Sequence, residues 1–413
     1  MSGVAEAPAI DPARVIADLR ELDARTGGPG GARRLCWGEE WRAARELLGQ
    51  LLGEIDLEPE RDEAGNLWTY LPGEQEPALA LGSHLDSVPE GGWLDGALGV
   101  MAGLGVLRAW ASAGDRPPRT LALVDWADEE GARFGRSLFG SSAASGTFDP
   151  AELAAAEDAA GLSATEVLAE NGIELGRVTE ARSRLDRIGS YLELHIEQGP
   201  VLELKGIATA AVSGCTGVER HRFRISGRAS HAGTTPMGAR RDAGLAAAAA
   251  ALQVEAIAVE GGGVGTVGVL ELEPGIPTVV PGTAEMVVDL RHPDREPLAQ
   301  MLEEVRGALA SSAEERRCEL GEEPVWRIEP ISFDPELVEK AREACEEVTG
   351  TGFGLTSGAL HDAAEVARRV PAAMIFCRSA GGISHSPKED STEADLGAAI
   401  EAFGRLAQST LLA

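Results

Sequence analysis

The chain has 413 residues, 44% hydrophobic and 25% charged, which is the balance of a globular protein too long for one ordinary core, so two structural units are expected. Its 37 basic and 67 acidic side chains give a formal charge of −30, a field that repels phosphate backbones and anionic headgroups and argues against nucleic-acid and membrane partners. Five cysteines without a C-x-x-C pair form no disulfide framework, and neither a signal peptide nor an uninterrupted apolar run of about 18 residues stands out, so a cytoplasmic protein without a transmembrane helix is expected.

In chain order, Asp11 followed by Pro12 predicts a capped helix start, with Val15, Ile16, Leu19 and Leu22 on one face. A second amphipathic helix is predicted over 39–55. Short apolar runs at 66–70, 78–85, 120–126, 191–196 and 372–376 read as buried strands, and 96–113 and 393–411 as helices. This alternation predicts an α/β fold, a mixed and mostly parallel sheet with helices on both faces. The stretch 212–329 reads differently: strand 219–226, helix 238–258, strands 265–272 and 283–291, helix 296–310, strand 324–330. That order is a split βαβ, ferredoxin-like α+β unit. Because the first pattern resumes afterwards, 213–329 is expected as an insertion between 1–212 and 330–413, with its junctions as hinges.

Only seven histidines occur, and His84, His195, His231, His361 and His385 sit in polar, glycine-rich strand-end or loop settings. In LGSHLDSVPEGGWLDGALGV a strand ends at His84 and Asp95 precedes a helix. Imidazole and carboxylate suit zinc, manganese or cobalt. Taken alone, Asp95 before Gly96 is an ordinary turn and His84 a satisfied core histidine. Asp86 is expected to orient a metal-bound imidazole. In LVDWADEEGARFG a buried strand delivers three acids to a loop; adjacent side chains diverge at a strand end, so Glu130 can bind metal while Glu129 serves as general base. YLELHIEQGP carries His195 followed by Gln198, and GGISHSPKE places His385 in a loop. His231 in ASHAGTTPM and Arg291 in VVDLRHPD belong to the inserted unit, where a surface ion pair is the plainer reading of Arg291.

Together GSHLDSVPEGGWLDGALGV, DEEGARFG, HIEQGPVLE, HAGTTPM and GISHSP closely resemble the M20-type metallohydrolases, in the hydantoinase/carbamoylase branch that holds N-carbamoyl-L-amino-acid hydrolases, β-ureidopropionase and allantoate amidohydrolase. The resemblance runs from about residue 30 to the C-terminus. It implies a zinc-peptidase-like catalytic unit with an inserted lid and dimerisation domain, and two divalent metal ions (Zn²⁺, Mn²⁺ or Co²⁺). His84, Asp95 and His195 would bind one ion, Asp95, Glu130 and His385 the other, with Asp95 bridging. It implies Glu129 as acid–base, His231 reaching the active site of a partner subunit in a homodimer, and Arg291 forked onto the carboxylate of a small ureido substrate. Gln198 and His361 would also face substrate. The wider family's peptidases usually carry an acid where His195 stands, which favours the carbamoylase branch. One departure is PGIPTVVPG, where Thr278 replaces a customary substrate-contacting asparagine and exchanges an amide for a hydroxyl.

The leading expectation is therefore hydrolysis of N-carbamoyl-L-amino acids to amino acid, carbon dioxide and ammonia. Allantoate amidohydrolase and β-ureidopropionase are the near alternatives. An N-acyl amino-acid deacylase or peptidase is a distant alternative, disfavoured by His195 together with Arg291 and HAGTTPM, and so is a non-catalytic binding module, since Glu129 and all five ligand candidates are present.

Overall fold

A computed structural model describes residues 8–412. It opens with α1 (Pro12–Thr26), where the Asp11 carboxylate accepts from Ala13 N at 3.1 Å and Arg14 N at 3.2 Å and Pro12 occupies the first turn, satisfying amides that a helix start leaves unpaired. Then come α2 (Glu39–Gly53), β1 (Leu67–Leu71), β2 (Gln75–His84), α3 (Ala97–Ala113), β3 (Arg119–Trp126), β4 (Ile188–Ile196) and β5 (Thr209–Cys215).

The main elements that follow are β6 (Gly217–Ser226), α4 (Ala243–Gly261), β7 (Val264–Glu273), β8 (Thr283–His292), α5 (Arg295–Glu315) and β9 (Glu319–Ile328). The chain ends with α6 (Pro335–Thr349), β10 (Ala372–Cys377) and α7 (Glu393–Leu411). Two compact units result, one from 1–213 with 333–413, the other 214–332.

The larger unit is built on a nine-stranded sheet with the core order β5-β10-β4-β2-β3-β1. Its centre is parallel (β10 with β4, β4 with β2, β2 with β3), and β5 and β1 flank it antiparallel. Burial on both faces explains why these strands read as continuous apolar runs. The period of two still sorts the side chains. Leu192 and Leu194 of β4 join the leucine core beneath α1, α2, α3, α6 and α7, while Tyr191, Glu193 and His195 alternate to the opposite side.

The smaller unit is a four-stranded antiparallel sheet in the order β7-β8-β6-β9. Helix α4 is long and apolar enough to cross a membrane by length and composition. Here Ala246, Ala247, Ala250 and Val254 pack in the unit's own core with Phe223, Met286 and Leu302. Two boundaries differ from the sequence reading. Helix α4 starts at Ala243 rather than 238, because Asp242 caps it through Leu245 N at 3.0 Å and a separate 3-10 turn occupies Met237–Ala239. Strand β9 begins at Glu319, ahead of Pro324. It is an edge strand, so the proline costs no ladder bond that matters, and a register shift follows it.

Candidate metal centre

The C-terminal end of β2 carries His84, and the tight turn into α3 brings Asp95 back beside it. The turn depends on Gly96, whose φ is +64° and where a Cβ would lie 2.4 Å from the His84 ring; a side chain there meets both backbone strain and an atomic clash. His84 Nδ1 faces the Asp86 carbonyl oxygen at 3.1 Å, which leaves Nε2 directed at Asp95 Oδ1 (3.9 Å) and Glu129 Oε2 (3.6 Å). His195, near the end of β4, is set in the same manner: Nδ1 donates to its neighbour's carbonyl, Ile196 O, at 2.9 Å, and Nε2 lies 3.2 Å from Asp95 Oδ1. His385 comes from a loop after β10, with φ +52°, and its Nε2 lies 3.3 Å from Asp95 Oδ2 and 3.4 Å from Glu130 Oε2.

Asp95 thus turns one oxygen to His84 and His195 and the other to His385 and Glu130. The donor atoms in each set lie within 4.8 Å of one another, the spacing of groups that can converge on one divalent ion. A third set, Glu193, His195 and His361, meets the same distance criterion. It is the poorer candidate, because the Glu193 carboxylate already accepts from Ser83 Oγ (2.8 Å), Tyr191 OH (3.1 Å) and Ala363 N (2.9 Å).

Electrostatics favour cations here. Burial, with Asp95 close by, raises the Glu130 carboxyl to about 8. Glu129 is pushed well above the carboxylate range by burial and then by Asp362, Glu130, Asp86 and Asp95. Burial opposes the charge on Asp95, yet hydrogen bonds from His195 and His385 hold it well below the usual value. Burial also keeps His84 neutral, lowered to about 3. Carboxylates that repel one another, set among imidazoles of which His84 and His195 have their outer nitrogens already engaged, form a donor set that fits divalent metal.

The surrounding contacts were only partly anticipated. Asp86 is expected from the sequence to orient the His84 imidazole, but its Oδ1 is 3.6 Å from Nδ1; Oδ1 instead accepts from Glu129 N (3.2 Å) and Oδ2 from Glu130 N (3.1 Å). The backbone carbonyl orients the ring, and the carboxylate shapes the acidic loop. Gln198 Nε2 donates to Asp95 Oδ2 (3.0 Å) and Ser384 Oγ (3.2 Å). His361 is buried with its ring 4.4 Å from that of His195, centroid to centroid, and its Nε2 is 3.0 Å from Ser357 Oγ. Glu389 was overlooked. One of its oxygens accepts from Leu94 N and Asp95 N, and the other from Ser384 Oγ, so it holds both the backbone and, through Ser384, the carboxylate of Asp95. Its only sequence signal is its place in GISHSPKE.

Within the smaller unit, His231 is exposed at the start of a loop, and Thr278, also exposed, accepts from Ala232 N through its carbonyl at 2.8 Å. Arg291 on β8 donates Nε to Asp289 Oδ1 at 2.8 Å, while Arg220 on β6 donates to Asp289 Oδ2.

A mixed α/β unit whose sheet ends carry two imidazole–carboxylate sets sharing one aspartate defines a metallohydrolase architecture. The chain belongs to the peptidase M20/M25/M40 family, whose model matches residues 80–409. It is 38% identical to an N-carbamoyl-L-amino acid amidohydrolase of Geobacillus stearothermophilus, over 90% of this chain and 91% of that one. To an allantoate amidohydrolase of Bacillus subtilis it is 32% identical, covering 94% and 95% of the two. Among solved structures, an amidase of the hydantoinase/carbamoylase family from Burkholderia multivorans superimposes with a TM-score of 0.87 at 32% identity, covering 98% of this chain and 99% of that one.

Proposed function

We propose that this hydrolase cleaves the ureido C–N bond of N-carbamoyl-L-amino acids, with two divalent ions (zinc, manganese or cobalt) held by His84, Asp95 and His195 and by Asp95, Glu130 and His385. The observation that carries the reading is the division of Asp95's two oxygens between two donor sets, with Glu129 alongside. Ions bound there supply Lewis acidity at the ureido carbonyl. Glu129 takes a proton from the attacking water and returns it to the leaving nitrogen, its carboxylate lying 3.6 Å from His84 Nε2 beside the donor set. Cleavage at the amino-acid nitrogen releases the amino acid and carbamate, and the carbamate breaks down without further catalysis to carbon dioxide and ammonia.

The smaller unit, acting as lid and dimerisation domain, supplies the rest. His231, contributed by a second copy of the chain, donates to the oxyanion. Arg291 pairs with the substrate carboxylate and Thr278 contributes its hydroxyl, while Gln198 and His361, residues of the larger unit, complete the substrate's surroundings. A homodimer is supported by the outer strand β7 and by Leu252 and Val259 of α4, which are 70% and 76% exposed.

The test is ammonia release by the Mn²⁺-, Zn²⁺- or Co²⁺-loaded enzyme over N-carbamoyl amino acids, N-carbamoyl-β-alanine, allantoate and N-acetyl amino acids. Turnover of an N-carbamoyl-L-amino acid above all others is expected. Preference for allantoate would move the substrate within the branch, and turnover of the acetyl compounds alone would overturn the reading.

A further inference from the structure

We infer that Arg240 is a positioning residue that holds the His231 loop so that the His231 ring carries its proton on Nε2 and presents an N–H donor. The inference rests on the role proposed for His231 above. Ser230–His231 forms a short strand paired with Val279–Val280, and the chain then curls back over the imidazole. Nδ1 lies 3.1 Å from Gly233 N and 3.3 Å from Thr234 N. Backbone amides can only donate, so Nδ1 must accept. A neutral imidazole has one N–H, which is therefore on Nε2.

What keeps the amides in place is the guanidinium of Arg240. Its Nη2 donates to Ala232 O at 2.6 Å and its Nε to Thr235 O at 3.1 Å, so it clamps the carbonyls on either side of Gly233 and Thr234. Ala232 N is tied to Thr278 O at 2.8 Å, and the Arg240 carbonyl is itself held by Arg317 Nη2 at 3.1 Å. In a chain with 67 acids to 37 bases, Arg240 enters no ion pair among the described residues and is committed to loop carbonyls instead. The chemical consequence is direct. An Nε2–H stabilises negative charge developing on oxygen, whereas a bare Nε2 would turn a lone pair toward it.

The test is long-range ¹H–¹⁵N correlation on ¹⁵N-histidine-labelled, Zn²⁺-loaded protein at about pH 8.5, where a free imidazole is neutral, with the His231 signal identified by its loss in His231→Ala. The wild-type ring is expected to show a bare Nδ1 and a protonated Nε2. Arg240→Met is expected to give a tautomer mixture and a kcat about tenfold lower at a nearly unchanged KM, with Arg240→Lys falling between because an ammonium cannot span both carbonyls. A protonated Nδ1 in the wild type would overturn the inference without use of any variant. So would an Arg240→Met protein whose tautomer and kcat are both unchanged. Full turnover by His231→Ala would instead remove the proposed role of His231, whatever the tautomer.

Discussion

Glu129 and Glu130 are neighbours in sequence yet face different partners: Glu129 Oε2 lies 3.6 Å from His84 Nε2 and Glu130 Oε2 lies 3.4 Å from His385 Nε2. Glu129→Gln keeps the shape and loses the proton acceptor, so metal content measured by mass spectrometry should stay intact while kcat falls by about 10²–10⁴. Glu389→Gln replaces a carboxylate that accepts from Leu94 N, Asp95 N and Ser384 Oγ with an amide that can present a donor to one of them, and should weaken metal affinity by about 10–100-fold in a chelator competition. Taken singly the histidines have plainer readings, and only their joint occurrence in motifs that resemble a known family singles them out. Glu389 was not legible, because its partner Asp95 N lies 294 positions away, a distance no local pattern spans. The thiols offer a simpler check. Burial raises Cys345 and Cys377 to about 12, leaving a thiolate fraction of roughly 10⁻⁴ at pH 8. Iodoacetamide should therefore modify the partly exposed Cys318 first, as read by peptide mass mapping, and the buried pair only after unfolding.

Elements deliver these residues through turns. Gly96→Ala places a Cβ against the His84 ring at positive φ, so a loss of about 1–3 kcal/mol in denaturant unfolding is expected, with reduced zinc content. On β8 and β6, Asp289 anchors Arg291 and Arg220 from its two oxygens. Asp289→Asn removes the charge facing the Arg291 and Arg220 guanidiniums and should raise KM about tenfold with kcat nearly constant. Alternation and run length revealed most of the strands, since burial on one or both faces leaves a direct imprint on composition. They missed the first half of β9 because Glu319, Glu322 and Glu323 lie on an exposed edge, where packing imposes no apolar pattern.

For the whole molecule, stripping metal should lower the melting temperature, and restoring zinc at 100 times its Kd should return about 2.7 kcal/mol per site. An unchanged melting curve would count against metal at the acidic cluster. If each site borrows His231 from its neighbour, mixing inactive His231→Ala and Glu129→Gln chains should restore part of the activity in confirmed heterodimers, and none otherwise. The order of the strands has a further consequence for how such a chain is made. Strand β10 lies between β4 and β5, yet it is synthesised only after the whole of 214–332. Until it emerges from the ribosome, β4 waits with an unfilled edge, the kind of surface that recruits foreign strands. His385, needed for the second donor set, arrives later still. The nascent larger unit is thus exposed to aggregation for the time taken to translate 214–332, and the donor set of Asp95, Glu130 and His385 is completed only after β10 has been made.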